Sequence, residues 1–302
     1  MRQKCRGIIP VMLTAMREDE TIDYSALRGN VETLIAAGVD GLFVLGTNGE
    51  FYALTEDEKF RVAETVIDQT AGRVPVYVGV GDPGTRTTIE RARRMLRLKP
   101  FALTVVTPYF VAPSQKDLRE HFRRVALETG APLLLYNIPG RTGVSLAPET
   151  LGRLAEECEN IIGVKDSSGD MQTLLGYLKA APQIGVLCGN DGLILEALRQ
   201  GATGAVAATA NVAPHVVVGL YRAFLAGDYR RAEAYQQRLC PLRQDFAMGA
   251  VPGILKAQAN LAGMKVGPSR APVLPPDEQV RARLLETLKA SFPELYEREA
   301  MA

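Results

Sequence analysis

Histidine and cysteine are scarce in this sequence, and tryptophan is absent. Its 302 residues include two histidines and four cysteines. His121 and His215 both lie in segments with a helical pattern, where neither is placed for a zinc site or a Ser-His-Asp triad. Acid–base chemistry must therefore come from other residue types, and we predict no metal and no cofactor. The cysteines are widely separated and form no Cys-x-x-Cys motif, which predicts reduced structural thiols: Cys5, Cys158, Cys188 and Cys240.

Long apolar runs and an excess of one charge are also missing. No run reaches the ~18 residues that a membrane helix needs. The formal net charge is +1, which gives no electrostatic footprint for nucleic acid or anionic lipid. The N-terminus is basic, but the apolar stretch 8–13 is short and contains Pro10, so we expect no signal peptide. We therefore expect a cytoplasmic protein that binds neither nucleic acid nor membrane.

What the chain does contain is a repeated alternation of short apolar runs and amphipathic segments. The runs are rich in Val, Ile and Leu without strict alternation, which is typical of parallel strands covered on both faces. No Gly-x-Gly-x-x-Gly follows the first run, which weakens a dinucleotide-binding alternative. The pattern favours a (β/α)8 TIM barrel of the α/β class over an open, doubly wound sheet. The predicted strands span 7–13, 41–45, 74–80, 102–107, 133–136, 161–165, 185–188 and 204–208.

A helical pattern follows each predicted strand, and three further helices follow the last one. Thr55 precedes Glu58 by three residues, which predicts a capping box at the start of one helix. We predict that residues 1–226 form the barrel with the catalytic site, and that residues 227–302 form a C-terminal helical domain. The predicted helices span 23–37, 55–70, 85–98, 114–129, 147–159, 171–179, 191–200, 214–226, 228–246, 252–262 and 276–288.

Lys165 is the lysine whose position is unusual. Of the nine lysines, it alone ends an apolar strand-like run, and turn residues follow it directly. In barrels of this type the chemistry lies where the strands end. Shielding from water disfavours the ammonium form, and a neutral amine can form a Schiff base with a carbonyl substrate. A strand-end lysine that reaches solvent is the alternative interpretation of this stretch alone.

Tyr136 ends the preceding predicted strand and so lies beside Lys165, because neighbouring strands are about 4.8 Å apart. With no histidine available, its phenol is the plausible proton shuttle for Schiff-base chemistry, although a satisfied core tyrosine is an alternative. Thr47, on a strand across the barrel, would relay a proton to Tyr136 or bind a substrate carboxylate. Arg141, in a glycine-flanked loop, would clamp a carboxylate or lie in solvent. Together these groups point to a 2-oxo acid such as pyruvate.

These residues resemble those of the pyruvate-dependent Schiff-base aldolases, the family of dihydrodipicolinate synthase and N-acetylneuraminate lyase. The resemblance implies that Lys165 forms the Schiff base, that Tyr136 donates or accepts the proton, and that Thr47 and Asn48 bind the pyruvyl carboxylate. It also implies a homotetramer built as a dimer of dimers. The segments that carry the resemblance extend over nearly the whole chain: 46–50, 107–109, 136–143, 163–169, 188–191 and 209–212.

The same resemblance implies two more residues of the site, and we add Tyr109 to the substrate-binding residues. The carbonyl of Val206 would lie beside the tyrosine–lysine pair, and Gly189 would line the same pocket. Tyr109 is placed with them, although the aromatic pair Tyr109 and Phe110 would equally serve packing or an interface.

Agreements with the family pattern and departures from it favour different substrates. Arg141 lies where the synthase binds the carboxylate of its second substrate, which favours dihydrodipicolinate synthase-like condensation of pyruvate with an acidic aldehyde. Phe110 replaces the second tyrosine of the synthase, and a phenylalanine has no proton to exchange. Asn48 replaces the usual second threonine, as in 4-hydroxy-2-oxoglutarate aldolase and sugar-acid members. The alternatives are therefore an aldolase or dehydratase of a 2-keto-3-deoxy sugar acid or 4-hydroxy-2-oxoglutarate and, from another class, a non-catalytic 2-oxo acid sensor.

Overall fold

The computed structural model describes residues 4–296. Within this range, eight strands form one sheet, and hydrogen-bonded neighbours are parallel, as expected for strands that apolar side chains cover on both faces. The strands are β1 (Gly7–Pro10), β2 (Leu42–Val44), β3 (Val76–Gly79), β4 (Ala102–Val106), β5 (Leu133–Asn137), β6 (Ile161–Asp166), β7 (Gly185–Cys188) and β8 (Gly204–Ala207).

The sheet curves into a barrel in which each strand lies beside its neighbours in sequence. β8 pairs with β1, and β1 meets β2 through a parallel bridge between Val11 and Phe43. The backbone N–H of Met12 donates to the carbonyl of Phe43 at 2.8 Å at the same point. These contacts bring the two ends of the sheet together, and the prediction of a (β/α)8 TIM barrel is confirmed.

Helices cover the outside of the barrel and continue after its last strand. The predicted capping box is confirmed: the N–H of Glu58 donates to Thr55 Oγ1, and the N–H of Thr55 donates to Glu58 Oε2. A short helix after β5 was not predicted. The helices are α1 (Tyr24–Ala36), α2 (Glu56–Thr70), α3 (Thr85–Leu96), α4 (Gln115–Thr129), α5 (Pro139–Thr142), α6 (Pro148–Glu157), α7 (Met171–Ala180), α8 (Ile194–Arg199), α9 (Pro214–Leu225), α10 (Tyr229–Gln244), α11 (Val251–Leu261) and α12 (Glu278–Ser291).

Short 3-10 helices occupy several of the connections. Two of them follow β2, and two others follow β7 and β8, so they lie on the side of the barrel where the strands end. They span Thr47–Gly49, Phe51–Ala53, Asp191–Leu193, Thr209–Asn211, Asp245–Met248 and Pro293–Leu295.

The core has two layers. One fills the barrel and includes Ile9, Phe43, Leu134 and Ile162. The other packs between strands and helices and includes the residues next to those in sequence, because successive strand side chains point to opposite faces. A residue at the C-terminal end of a strand that follows the inward-pointing alternation therefore points its side chain into the mouth of the barrel.

After α9 ends at Leu225, the helices α10, α11 and α12 extend the chain beyond the barrel. Residues 1–3 of the predicted barrel domain and 297–302 of the predicted C-terminal domain lie outside the described residues. No helix in the described part of the chain is long and apolar enough to cross a membrane. No disulfide joins the four cysteines in the described part of the chain.

Candidate active site

Tyr136 and Lys165 both point into the mouth of the barrel, because side chains alternate between the two faces of a strand. Leu134 belongs to the inner layer and Leu135 to the outer one, so Tyr136 follows on the inner face. Val164 packs in the outer layer, and the next residue, Lys165, therefore points inward. Both strands continue one residue further than predicted, to Asn137 and Asp166.

The amine of Lys165 lies against aromatic rings. Tyr136 and Lys165 are register partners on β5 and β6. The Nζ atom lies 3.9 Å from the centroid of the Tyr136 ring and 5.2 Å from that of Phe43. Lys165 is 3% exposed and Tyr136 is 4% exposed. Within residues 4–296 the amine has no carboxylate within ion-pair distance.

A buried hydrogen bond fixes the strand ends beside this pair. Nδ2 of Asn137 donates to Oδ1 of Asp166 at 2.9 Å, and the N–H of Ser167 donates to the carbonyl of Asn137 at 2.8 Å. Burial raises the pKa of Asp166, while hydrogen bonds from Asn137 and Ser168 act in the opposite direction. The ends of β5 and β6 are thereby held in the register that brings Tyr136 to Lys165.

Thr47 reaches the phenol from the other side of the barrel. Its Oγ1 lies 3.4 Å from the hydroxyl of Tyr136, and either oxygen can donate. The expectation that Thr47 is on a strand is wrong: β2 ends at Val44, and Thr47 begins the 3-10 helix Thr47–Gly49. Asn48 is the next residue of that helix, so both side chains stand on a tight turn after the strand.

One cavity of about 380 Å³ brings these residues together at the barrel mouth. All eight residues that we predicted from the sequence as site residues line this cavity, together with several that we did not predict. Clefts of this size that combine apolar walls with a few convergent polar groups are typical small-molecule sites. The eight predicted site residues are Lys165, Tyr136, Thr47, Asn48, Arg141, Val206, Gly189 and Tyr109.

Gly189 lies against the lysine and leaves no room for a side chain. A Cβ atom there would lie 2.1 Å from Ser167 Oγ and 3.0 Å from Lys165 Cε. The N–H of Gly189 donates to the carbonyl of Asp166 at 2.7 Å, which ties β7 to the strand of the lysine. Val206, 1% exposed on β8, closes the floor of the cavity.

Arg141 and Tyr109 lie on the outer wall of the cavity. Arg141 is exposed and belongs to α5, which is anchored where Thr107 Oγ1 donates to Thr142 Oγ1 at 3.0 Å. Burial raises the pKa of Tyr109. Phe110 does not line the cavity: its side chain is 97% exposed, and its φ is 77°.

Sequence reasoning missed the contribution of the C-terminal helices to the cavity. Arg243, Phe246, Val251 and Pro252 line it, and the guanidinium of Arg243 lies 5.2 Å from the ring of Phe246. These residues follow no strand, so the strand-end rule gave no signal for them. Two guanidinium groups, those of Arg141 and Arg243, therefore face one cavity.

Asp191, also missed, lines the cavity after β7 and is fully buried. Its carboxylate accepts the N–H of Thr209 at 2.6 Å and that of Ala208 at 3.2 Å. Burial raises its pKa, and these N–H groups oppose the rise. No group of three or more His, Cys, Asp and Glu is arranged for a metal ion in the part of the chain described here.

Comparison with known proteins gives one family over almost the whole chain. The model of the dihydrodipicolinate synthetase family matches residues 4–291. An uncharacterized DapA-like lyase of Halobacterium salinarum is 40% identical over 278 residues, which are 92% of this chain and 91% of the relative. The 4-hydroxy-tetrahydrodipicolinate synthase of Methanothrix thermoacetophila is 37% identical, covering 94% and 96%. A probable 2-dehydro-3-deoxy-D-pentonate aldolase of Escherichia coli is 36% identical, covering 82% and 83%.

Solved structures agree with this relationship. The prophage protein YagE of E. coli K12, solved in complex with pyruvate, superimposes with a TM-score of 0.92 at 34% identity, covering 95% of this chain and 98% of that one. A monomeric dihydrodipicolinate synthase variant gives a TM-score of 0.91 at 29% identity, covering 95% and 96%. The names of the relatives indicate a lyase. This chain belongs to the dihydrodipicolinate synthetase family.

Proposed function

We propose that this protein is a pyruvate-dependent lyase or synthase that works through a Schiff base on Lys165. The observation that carries the proposal is the amine of Lys165, 3% exposed and 3.9 Å from the ring of Tyr136, in a cavity lined by hydroxyl and amide groups. A buried amine with an adjacent phenol and no acid partner is suited to attack a ketone.

The reaction begins when neutral Lys165 adds to C2 of pyruvate. Tyr136 donates a proton to the carbinolamine hydroxyl, water leaves, and the iminium forms. The phenolate then removes a proton from the methyl carbon, and the resulting enamine adds to the carbonyl carbon of an aldehyde. Tyr136 returns the proton to the alkoxide oxygen that forms, and its phenolate later accepts a proton from the water that attacks the iminium. Water finally hydrolyses the iminium and releases the amine. Cleavage of a 4-hydroxy-2-oxo acid is the reverse of these steps.

Four other residues have supporting roles in this proposal. Thr47 relays protons to Tyr136, with its hydroxyl 3.4 Å from the phenol. Thr47 and Asn48 bind the carboxylate of pyruvate, because the turn places both at the cavity wall. Gly189 and Val206 shape the space beside the lysine.

The second substrate is an acidic aldehyde in this proposal, as in dihydrodipicolinate synthase. Arg141 and Arg243 both line the cavity, and neither forms an ion pair with another residue in the described range. An arginine binds a carboxylate with charge-assisted hydrogen bonds worth about 1.5–3 kcal/mol, or roughly tenfold to more than a hundredfold in affinity.

A panel of acceptors tests this choice. Pyruvate is supplied with aspartate semialdehyde or with neutral glyceraldehyde, and the parent is compared with Arg141→Gln and Arg243→Gln. We expect the KM for the acidic aldehyde to rise at least tenfold in each variant, while that for the neutral one changes little. No turnover of the semialdehyde by the parent would end the synthase assignment.

Aldol cleavage or dehydration of a 2-keto-3-deoxy sugar acid or 4-hydroxy-2-oxoglutarate is the second candidate. Asn48 lines the cavity in place of a threonine, and Phe110 offers no hydroxyl. The pentonate aldolase relative is consistent with this candidate. Turnover of such acids by a protein that ignores the semialdehyde would select it. Absence of turnover with the whole panel would favour the sensor, which has no need for the Lys165–Tyr136 pair.

We also propose a homotetramer, built as a dimer of dimers, in the cytoplasm. The exposed apolar side chains of Phe110 and Val111, 97% and 71% accessible, support burial of that loop in an assembly. Cysteines that form no disulfide within the described residues are consistent with a reducing compartment. Light scattering coupled to size-exclusion chromatography tests the assembly, and the mass of a monomer would contradict it.

A further inference from the structure

Glu50 follows the Thr47–Gly49 turn and takes part in a fully buried ion pair. Its side chain is 0% exposed, and its Oε1 lies 2.7 Å from Nζ of Lys256, which is 1% exposed. Lys256 belongs to α11, in the helices that follow the barrel. Removing two charges from water is costly unless each stays paired. The position of Glu50 is therefore tied to that of Lys256.

The segment after α11 completes the attachment. Nζ of Lys256 donates to the carbonyl of Pro268 at 2.7 Å, and the N–H of Arg270 donates to Glu50 Oε2 at 2.9 Å. The guanidinium of Arg270 donates to the carbonyl of Ala53 at 2.8 Å. Both ends of the stretch from Glu50 to Ala53 are thus bound by groups that come from beyond the barrel.

The backbone of the turn needs such support. Glu50 has a φ of 57°, in the left-handed region that a non-glycine residue adopts at a cost. On the other side, Oγ1 of Thr14 donates to the carbonyl of Gly49 at 2.7 Å. The conformation that presents Thr47 and Asn48 to the cavity therefore depends on contacts outside the turn.

We propose that Lys256 is a positioning residue, whose ion pair with Glu50 holds Thr47 and Asn48 where they bind the carboxylate of the substrate. This inference rests on the proposed function, because it assumes that the turn binds pyruvate. Lys256 does not line the cavity and acts through the turn. The same helix lines the cavity with Val251 and Pro252, so α11 both forms the wall and fixes the turn opposite it.

Lys256→Met tests the inference, since it removes the charge and keeps most of the volume. Trapping with borohydride is measured against pyruvate concentration, with the label located on Lys165. We expect the half-saturating pyruvate concentration to rise at least tenfold, while saturating pyruvate still labels Lys165. A half-saturating concentration within twofold of the parent would overturn the inference, whatever the melting temperature.

Lys59→Met is the matched control. Lys59 is also buried and also pairs with a glutamate, Glu56, at 2.7 Å, but neither residue lines the cavity. If the ion pair of Lys256 contributed only to stability, Lys256→Met and Lys59→Met should have similar half-saturating pyruvate concentrations. We expect the Lys59→Met protein to keep the half-saturating concentration of the parent, and a rise equal to that of Lys256→Met would contradict the positioning role.

Glu50→Gln provides a second variant if Lys256→Met does not fold. The amide oxygen still accepts the N–H of Arg270, and the unpaired amine of Lys256 can lose its proton. We expect at least a threefold rise in half-saturating pyruvate, and an unchanged value would overturn the inference.

Hydrogen exchange separates this inference from the proposed function. The N–H groups of Gly49 and Glu50 bond within the turn, to Gly46 and Thr47. We expect their exchange to accelerate at least tenfold in Lys256→Met or Glu50→Gln without any ligand, and no acceleration would overturn the attachment. A parent that pyruvate does not label would contradict the proposed function instead, and exchange would still decide whether the ion pair holds the turn.

Discussion

Lys165 carries the amine on which the proposed chemistry depends, and its neighbours are aromatic rings. A lysine in a protein interior commonly has an acid partner, because an unpaired charge is costly there. Lys59 and Lys256 follow that rule with Glu56 and Glu50. Lys165 differs from both, since its amine lies over the rings of Tyr136 and Phe43 and pairs with no carboxylate of the described residues. We propose that this difference distinguishes a reactive amine from a structural one.

Tyr136→Phe removes the phenol and little else. The ring against the amine of Lys165 remains, so the Schiff base should still form and be trapped. Without the proton shuttle, kcat should fall by about 10²–10⁴, the usual contribution of a positioned acid–base group. Steady-state turnover measured beside borohydride labelling checks both parts. A Tyr136→Phe enzyme as fast as the parent would contradict the shuttle.

Gly189→Ala should block the lysine. The added Cβ would lie 2.1 Å from Ser167 Oγ, 2.9 Å from the carbonyl of Asp166 and 3.0 Å from Lys165 Cε. The backbone carbonyl leaves little freedom to yield, so we expect at least a hundredfold loss of pyruvate labelling rate. Gly192→Ala in the same connection is the control, because its Cβ would lie 3.5 Å from the nearest atom. Equal labelling of the two variants would show that Gly189 does not protect the space beside the amine.

At the scale of elements, local composition was sufficient to predict the strands. Parallel strands buried on both faces need continuous apolar runs. Six of the eight predicted runs contain the observed strand, and β5 and β6 each extend one residue beyond theirs. Their ends were less certain: β1 stops at Pro10, three residues before the predicted end, because the ladder with β8 stops there. The proximity of Tyr136 and Lys165 could be predicted from the topology alone, because the two residues end consecutive strands that lie side by side in a barrel.

The contribution of the C-terminal helices could not be predicted in the same way. Arg243 faces the cavity, and Lys256 meets Glu50, through packing of α10 and α11 on the barrel. Helix–barrel packing joins residues that are distant in the chain, and neither residue has a local pattern that distinguishes it from an ordinary helical cation. The roles of the eight predicted site residues remain predictions, although the structure places all eight around one cavity.

Asn137→Ala should loosen the ends of β5 and β6. It removes the amide that donates to buried Asp166 and accepts the N–H of Leu146. We expect a loss of about 1–3 kcal/mol in the free energy of unfolding, together with lower kcat. Asn160→Ala is the control, because its amide donates to Ala126 and Ala131 at the opposite end of β6. It should lose stability and keep kcat, as urea titration and turnover would show; a normal kcat in Asn137→Ala would contradict the coupling.

At the scale of the whole molecule, the barrel and the helices after it share one cavity. The Gly46–Glu50 turn is bound by α11 and the segment that follows it, and the cavity wall includes Val251 and Pro252. The predicted boundary near residue 226 therefore does not separate the site from the C-terminal helices. A protein without those helices would lack part of the wall and the partner of a buried carboxylate.

The stability of the whole molecule should fall between about pH 6.5 and pH 4 through His121. Burial lowers the pKa of His121 to about 4, so in this window the unfolded chain binds a proton that the folded protein does not. The free energy of unfolding then falls by up to about 1.4 kcal/mol per pH unit as the pH drops. The pKa of Glu58, lowered to about 2 by hydrogen bonds from Arg270, acts below this window.

Urea titrations across this window check the histidine. The free energy of unfolding of His121→Asn should depend less steeply on pH than that of the parent. Asp166 and Asp191, whose pKa values burial raises, act in the opposite direction, but they do so equally in both proteins. A His121→Asn protein with the slope of the parent would contradict the assignment.

The central claim is that one amine at the mouth of the barrel attacks a ketone, and peptide mapping tests it most directly. The protein is incubated with pyruvate, reduced with borohydride and digested, and the masses of the peptides are measured. We expect one added 1-carboxyethyl group on the amine of Lys165, none in Lys165→Ala, and loss of turnover in that variant with the fold retained. A label on another lysine, or no label at all, would contradict the account.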